Sequence, residues 1–295
     1  MSRASQTKRR IWKADQDRLR RRTDFVVVEE PLEIRLRAGA EERSVAITMR
    51  TPGDDYELAA GFLYSEGVIA DKDAIYQMTY CLGGEAARQE YNRLQINLRA
   101  DRLPELPQLE RHFLINSACG LCGKASLEAL AERHPAPIPP GPLVSPDLLY
   151  RLPDLLRRGQ AVFDSTGGLH AAALFDPAGH LVALREDVGR HNALDKLIGW
   201  ALLHNKLPLH DHLLLVSGRA SFELLQKCLF AGGPIFCAVS APSSLAVSLA
   251  EQFGITLVGF LRRDSYNVYT GLERIVQPKA KVGPPLNGLA TTRMS

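Results

Sequence analysis

The 295-residue sequence contains no long hydrophobic run. No stretch reaches the roughly 18 unbroken apolar residues that a membrane span requires. Its opening segment, "MSRASQTKRRIWKADQDRLRRR", also lacks the apolar core of a signal peptide. We therefore expect a cytoplasmic protein that has no membrane partner.

Cysteine is scarce as well. There are five, an odd number, and only Cys119 and Cys122 lie close together in the chain. Cys228 falls in an apolar helical pattern and Cys237 in a strand pattern, where free cysteine usually acts as a small buried hydrophobic residue. Without an export signal, we expect a reducing compartment and no structural disulfide framework.

The first 22 residues have little negative charge. Nine Lys and Arg face only Asp15 and Asp17, so this segment carries +7, whereas the whole chain carries +3 and the remainder therefore −4. A segment so poor in apolar residues and so rich in charge is predicted to be a disordered basic tail over residues 1–22. A nucleic-acid arm and a solvated extension both fit this composition. We favour the extension and expect no nucleic-acid partner.

Two units are expected after the tail. The first, residues 23–140, has three predicted strands between Thr23 and Arg50, followed by a helix that Asp54 caps. We expect a smaller N-terminal α+β domain that ends in the Cys-x-x-Cys loop and its helix.

A Pro-rich stretch at residues 134–146 indicates a linker. Residues 141–277 then alternate apolar strands with helices of the length that a parallel sheet requires. This pattern predicts an α/β domain with a mostly parallel sheet and helices on both faces. Residues 278–295 are predicted to form a flexible C-terminal tail.

Small polar residues and arginines follow the predicted strands of the second unit, where such sheets bind ligands. Glycines there let backbone N–H groups approach a ligand, and arginines add fixed positive charge, so an anionic, phosphate-bearing ligand is expected. Ordinary turn and cap chemistry explains any one of these loops by itself. No G-x-G-x-x-G follows a strand and no Walker motif occurs, which disfavours a standard dinucleotide or nucleoside triphosphate site. The loops are "REDVGRHN" (185–192), "SGRAS" (217–221), "SAPSS" (240–244) and "FLRRDSYN" (260–267).

The helix opened by Asp187 is expected to have a buried apolar stripe and a polar side. On the polar side the spacing pairs His191 with Asp195, and Asn192 with Lys196, at i and i+4. His191 fits two interpretations equally, a general acid or ligand donor and an ordinary surface histidine.

The Cys119–Cys122 pair, in "INSACGLCGKASLEAL", admits several interpretations. Zinc is disfavoured because a structural site usually needs a second such pair or two histidines, and no permanently bound metal is expected. Redox cycling is a stronger alternative, because a helix start after Cys122 favours thiolate. A pliable loop with Gly120 and Gly123 also suits a mobile thiol that carries sulfur.

Several motifs, in order, closely resemble the FdhD family of sulfur carriers required for formate dehydrogenase activity. The resemblance covers roughly residues 25–275 and excludes both tails. The motifs are "SACGLCG", "TGGLHAA", "REDVGRHNALDKLIG", "SGRASFELLQK", "VSAPSSLAV" and "GITLVGFLRRDSYNVYT".

The resemblance implies that sulfur arrives from a cysteine desulfurase as a cysteine persulfide. It then passes to the molybdenum cofactor, Mo-bis(molybdopterin guanine dinucleotide), before that cofactor enters the catalytic subunit of formate dehydrogenase. It also implies a cytidine-deaminase-like fold in the second unit, a homodimer, and GDP-like guanine nucleotides as ligand mimics.

The family's persulfide cysteine corresponds to Cys119, with Cys122 as a relay or as a residue that tunes its neighbour. The implied cofactor-binding segment is Phe260, Leu261, Arg262, Arg263, Asp264 and Ser265. To it we add the polar residues of two further strand-end loops as expected cofactor contacts. These are Gly189, Arg190, His191, Ser217, Gly218 and Arg219.

Overall fold

The computed structural model describes residues 4–16, 18–81, 91–104 and 123–277. Within these ranges no helix has the length and apolar character needed to cross a membrane. The strands are β1 (Gln6–Asp15), β2 (Arg18–Val27), β3 (Glu30–Ala38), β4 (Glu41–Arg50), β5 (Ile75–Tyr80), β6 (Arg93–Leu98), β7 (His170–Phe175), β8 (Leu181–Asp187), β9 (Leu213–Val216), β10 (Ile235–Ala238), β11 (Thr256–Gly259) and β12 (Asn267–Thr270). The helices are α1 (Asp55–Ser65), α2 (Gly123–Glu132), α3 (Pro146–Gly159), α4 (Ala161–Thr166), α5 (Arg190–Leu203), α6 (Phe222–Phe230) and α7 (Ser244–Phe253).

The larger sheet has six strands in the order β12-β11-β10-β9-β7-β8. Its middle strands β9, β10 and β11 are parallel, and every residue in them is buried, as their unbroken apolar sequences predict. Strands β7, β8 and β12 join antiparallel, so three of the five strand pairings are antiparallel and the prediction of a mostly parallel sheet is wrong. Parallel pairing is confined to the centre of the sheet.

Helices cover both faces of this sheet. Helices α5, α6 and α7 pack on one face, and the apolar side of α3 packs on the other through Leu149, Leu152 and Leu156. The predicted class, an α/β unit beside a smaller N-terminal α+β unit, is confirmed.

The smaller sheet has four strands in the order β4-β3-β6-β5. Leu32, Ile34 and Leu36 alternate inward along β3 and pack against α1, where Leu58 and Leu63 are buried. Strand β5 is absent from the sequence-based prediction, as are β12, α3 and α4.

Helix α1 joins the two units by crossing α5 at close range. A Cβ added to Gly61 would lie 1.9 Å from the Asp195 carbonyl oxygen, and one added to Gly199 would lie 1.8 Å from the Glu57 carbonyl oxygen. The two helix backbones touch because neither glycine has a side chain at the crossing.

The prediction of a disordered tail over residues 1–22 is wrong for the part that the structure describes. Strands β1 and β2 pair antiparallel over their full length, with Gln16 at the turn in a left-handed conformation (φ 49°). Composition failed here because cation–π contacts, such as that of the Arg21 guanidinium over the Trp12 ring at 4.9 Å, join the strands without a hydrophobic core. The predicted C-terminal tail, 278–295, lies outside the described residues.

Candidate functional site

Four strand-end loops meet at one edge of the larger sheet. Strands β9, β10 and β11 end there at Val216, Ala238 and Gly259. Strand β8 also ends there, at Asp187, opposite His170 at the start of β7. Backbone hydrogen bonds tie the loops together, because the Ser240 N–H donates to the Gly218 carbonyl at 3.2 Å and the Phe260 N–H donates to the Ser240 carbonyl at 3.1 Å. The predicted convergence of the loops is therefore present.

The buried carboxylate of Asp187 organises the first of these loops. It accepts hydrogen bonds from the Gly189 N–H (2.9 Å), the Asn192 amide (3.1 Å) and the Thr51 N–H (3.1 Å), and it pairs with the Lys196 ammonium at 2.7 Å. Thr51 belongs to the N-terminal unit, so both units hold the start of α5 in place.

Positive charge gathers beside Asp187. Burial, followed by the nearby charges of Arg190 and His191, lowers the pKa of His170. The Nε of Arg190 is buried and has no hydrogen-bond partner within the described part of the chain. A buried guanidinium N–H without an acceptor is costly, and a phosphate or carboxylate oxygen would satisfy it.

The loop after β9 contributes backbone and small side chains. The Ser217 hydroxyl accepts the Ala171 N–H at 2.9 Å, which fixes the loop to β7. Gly218 lies against the His170 ring, and a Cβ placed there would be 3.5 Å from His170 Nδ1. Arg219 is exposed and adds a further cation near this edge.

The predicted cofactor segment forms a tight turn after β11. The Arg262 N–H donates to the Ser265 carbonyl at 2.8 Å, and residues 262–265, which include Asp264, are exposed. Phe260 has a left-handed backbone (φ 50°) and is 40% exposed, which is unusual for a large aromatic residue. The Arg263 guanidinium instead donates to Asp154 of α3 at 2.7 Å.

Leu261, also predicted as a contact, is fully buried, and its side chain packs in the core beneath the turn. Its backbone N–H donates to the Ala238 carbonyl at 3.1 Å. Leu261 therefore anchors the turn to β10 and leaves the surface of the turn to its neighbours.

The predicted i,i+4 pairs on α5 are wrong. His191 Nε2 instead pairs with Glu223 Oε2 at 2.6 Å, and the Asp195 carboxylate is buried against the Lys227 ammonium at 2.8 Å. Helices α1 and α6 and strand β4 pack against the polar side of α5, so its side chains find partners on those elements. Burial raises the pKa of Asp195, and the His191 hydrogen bond lowers the pKa of Glu223.

A cleft of about 370 Å³ opens between β4 and helices α1, α5 and α6. His191, Glu223 and Lys227 line its polar side, and Phe62 and Val45 lie among its apolar lining. Thus His191 lies between the strand-end loops and this cleft.

Cys119 and Cys122 lie outside the described residues. The helix predicted after them is present, because α2 begins at Gly123. Its far end is fixed by Arg133, whose guanidinium lies 3.9 Å from the Phe230 ring centroid and donates to the Ser65 carbonyl at 3.3 Å. Within the described ranges no three His, Cys, Asp or Glu side chains are grouped as metal ligands.

The buried partners of the site have no signal in the local sequence. Thr51 and Lys196 support Asp187, and the Thr51 hydroxyl also accepts the Val188 N–H at 3.2 Å. Thr51 precedes Asp187 by 136 residues, and no local pattern connects them.

Comparison with known proteins gives consistent matches over most of the chain. A family model described as the FdhD/NarQ family matches residues 27–276. A relative from Streptomyces coelicolor, named Sulfur carrier protein FdhD, is 54% identical over 266 residues, which cover 89% of this chain and 92% of the relative. A relative with the same name from Sulfurisphaera tokodaii is 45% identical over 253 residues, which cover 86% of this chain and 92% of the relative.

A crystal structure described as a formate dehydrogenase accessory protein from Desulfotalea psychrophila shares the fold. Its TM-score is 0.71 at 24% sequence identity, and the match covers 92% of this chain and 100% of that one.

Proposed function

This chain belongs to the FdhD/NarQ family, and from that premise we propose that it is a sulfur carrier that acts as a sulfurtransferase. In this proposal Cys119 accepts sulfur from a cysteine desulfurase and the protein delivers it to Mo-bis(molybdopterin guanine dinucleotide), the client cofactor of formate dehydrogenase. The observation that carries the proposal is the 54% identity to a named sulfur carrier over most of both chains.

The loading step needs no external oxidant. The Cys119 thiolate attacks the terminal sulfur of the desulfurase persulfide, the S–S bond of that persulfide breaks, and the desulfurase cysteine leaves as a thiolate. Cys119 then holds a persulfide. Helix α2 supports this chemistry, because the partial positive charge at its N-terminus lies directly after Cys122 and favours anionic sulfur nearby.

Two routes lead from the persulfide to the client. In one, the Cys122 thiolate attacks the inner sulfur of Cys119, hydrosulfide leaves toward the client, and a disulfide forms that a dithiol reductant must reduce. In the other, the terminal sulfur passes directly and Cys122 only assists Cys119. Replacing each cysteine with Ala in turn distinguishes the two routes. If Cys119→Ala abolishes sulfur transfer and Cys122→Ala does not, an obligatory relay through Cys122 is ruled out.

The client cofactor is assigned to the edge of the larger sheet. Its pyrophosphates are polyanionic, and Arg190, whose Nε has no partner among the described residues, supplies complementary charge together with Arg219 and Arg262. The exposed Phe260 ring suits stacking against a guanine base. In a homodimer two such edges would match the two nucleotide arms of the client, so GDP is expected to bind at two sites per dimer.

Mass spectrometry of the intact protein tests the carrier role directly. After incubation with cysteine and a desulfurase, the protein should gain one sulfur atom that maps to Cys119. Cys119→Ala should gain none, and a Cys119-independent gain would contradict the proposal. A chaperone that only binds the cofactor would stay active when both Cys119 and Cys122 are replaced with Ala. A disulfide oxidoreductase would not bind guanine nucleotides.

GDP binding tests the assigned edge. Arg190→Ala should weaken binding by about tenfold or more, because it removes a charge-assisted contact. Arg158→Ala, which removes an exposed cation on α3, is the matched control and should leave binding unchanged. Equal binding by both variants would place the nucleotide elsewhere.

A further inference from the structure

The β1–β2 arm, Gln6–Val27, takes no part in the chemistry above. The family model matches residues 27–276, so only Val27 of the arm lies within it. The arm holds eight cations against three acidic residues, which gives a net charge of +5. The cations are Lys8, Arg9, Arg10, Lys13, Arg18, Arg20, Arg21 and Arg22.

All eight cations are exposed, and none forms an ion pair with a residue that the structure describes. Two of them lie over aromatic rings of the arm, Lys8 at 5.6 Å from the Phe25 centroid and Arg21 at 4.9 Å from the Trp12 centroid. Like charges at this density repel one another, so a surface of opposite charge would stabilise the arm.

One face of the arm combines three of these cations, Lys8, Arg10 and Arg21, with apolar side chains near the turn. Trp12 pairs with Arg21 and Ala14 with Leu19, which puts all four on the same face. Trp12 is 61% and Leu19 69% exposed. Exposed Trp and Arg side by side are typical of the residues that dominate protein–protein binding energy.

The arm is attached beside the strand-end edge. At its open end, Ser165 of α4 donates a hydrogen bond to the Gln6 side chain, and a Cβ built on Gly168 would lie 3.5 Å from Val27 Cγ2. Gly168 is two residues before His170, which lies in the cationic cluster of that edge. The C-terminal end of α2, in contrast, lies away from this edge. Its neighbour Arg133 packs on Phe230, which is at the end of α6 farther from the edge.

We propose that the arm is a docking element for the enzyme that receives the cofactor. The surface it fits is acidic and has an apolar pocket for Trp12 and Leu19. The inference rests on the proposed function, since the edge beside the arm is the one assigned to the client. A protein is favoured over nucleic acid because phosphates would neutralise the cations but would leave Leu19 in water.

A docking partner also accounts for the construction of the arm. A two-stranded ribbon has little core of its own and is marginally stable in water. Exposed arginines along both strands discourage pairing with a second basic ribbon while they attract an acidic surface.

The test measures binding of the full-length protein to the purified apo formate dehydrogenase of the same organism. One variant reverses charge on the Trp12 face of the arm through Lys8→Glu, Arg10→Glu and Arg21→Glu, and a second carries Trp12→Ala. The matched control reverses three exposed cations elsewhere through Arg102→Glu, Arg158→Glu and Lys206→Glu. Circular dichroism and thermal unfolding establish that all variants fold alike.

The arm reversal should weaken binding by about tenfold or more at low salt, and by less at high salt, because exposed charges are screened. Trp12→Ala should weaken binding at both salt concentrations. The inference is overturned if the arm variants bind like the control. It is also overturned if the arm variants keep their binding to formate dehydrogenase and lose only binding to the desulfurase, dimer formation or binding to a duplex nucleic acid probe.

Sulfur loading of Cys119, measured on the same variants, keeps the two ideas apart. Arm variants should gain sulfur like the unmodified chain, because the arm lies at the client edge. Failure of the unmodified chain to load would refute the carrier role, whereas normal loading with arm-independent enzyme binding would refute only the docking inference.

Discussion

Replacing Asp187 with Asn should be among the most destabilising single substitutions at the site. Asp187 is 0% and Lys196 1% exposed, and their charged groups lie 2.7 Å apart. Asn is nearly isosteric but neutral, so the Lys196 ammonium would remain buried without its counter-ion. Breaking a buried pair in this way costs about 3–5 kcal/mol of unfolding free energy. The free energy is measured by urea unfolding.

Two further variants test the reasoning. Asp164→Asn removes one partner of the exposed Arg157–Asp164 pair, 2.9 Å apart, and should cost about 1 kcal/mol or less. Adding Lys196→Met to Asp187→Asn removes the stranded charge and should restore part of the loss. If Asp187→Asn costs no more than Asp164→Asn, or if the second substitution restores nothing, the Lys196 charge is not stranded as the buried pair predicts.

Three other outcomes follow from the structure. Cys228 and Cys237 should resist alkylation in the native protein at pH 8, because burial raises the pKa of both thiols, that of Cys237 to about 12. Mass spectrometry after iodoacetamide treatment checks this, and rapid labelling of either cysteine would contradict their burial. The pKa of His170 is lowered in the folded protein, so as pH falls below about 6.5 the unfolded chain protonates at His170 before the folded protein does. Folding stability should therefore decrease below about pH 6.5, and His170→Gln should flatten this pH dependence in thermal unfolding. Gly199→Ala should cost about 1–3 kcal/mol or more in urea unfolding, since the added Cβ meets the Glu57 carbonyl; a neutral effect would mean that α1 and α5 separate freely.

Local patterns predicted the elements whose sequence carries a strong period or an unbroken apolar run. The buried strands β9, β10 and β11 and the helices between them are of this kind. The convergence of the loops near Gly189, Gly218 and Phe260 also followed from sequence, because the carboxyl ends of parallel strands meet at one edge of a sheet.

Local patterns failed where a side chain's partner lies far along the chain. His191 and Asp195 suit each other by spacing, yet they pair with Glu223 and Lys227, because α6 packs against the face that the sequence assigned to solvent. The β1–β2 arm was missed for a related reason, since cross-strand contacts, and not composition, hold it.

The sequence by itself determined the family, the order of the α/β elements and the cysteine pair, because each is written in contiguous residues. Only the tertiary structure decided which charges are buried, which unit supports the start of α5, and that a basic ribbon lies beside the strand-end edge. Those properties depend on the surface that folding removes from water and on partners separated by more than a hundred residues, such as Thr51 and Asp187.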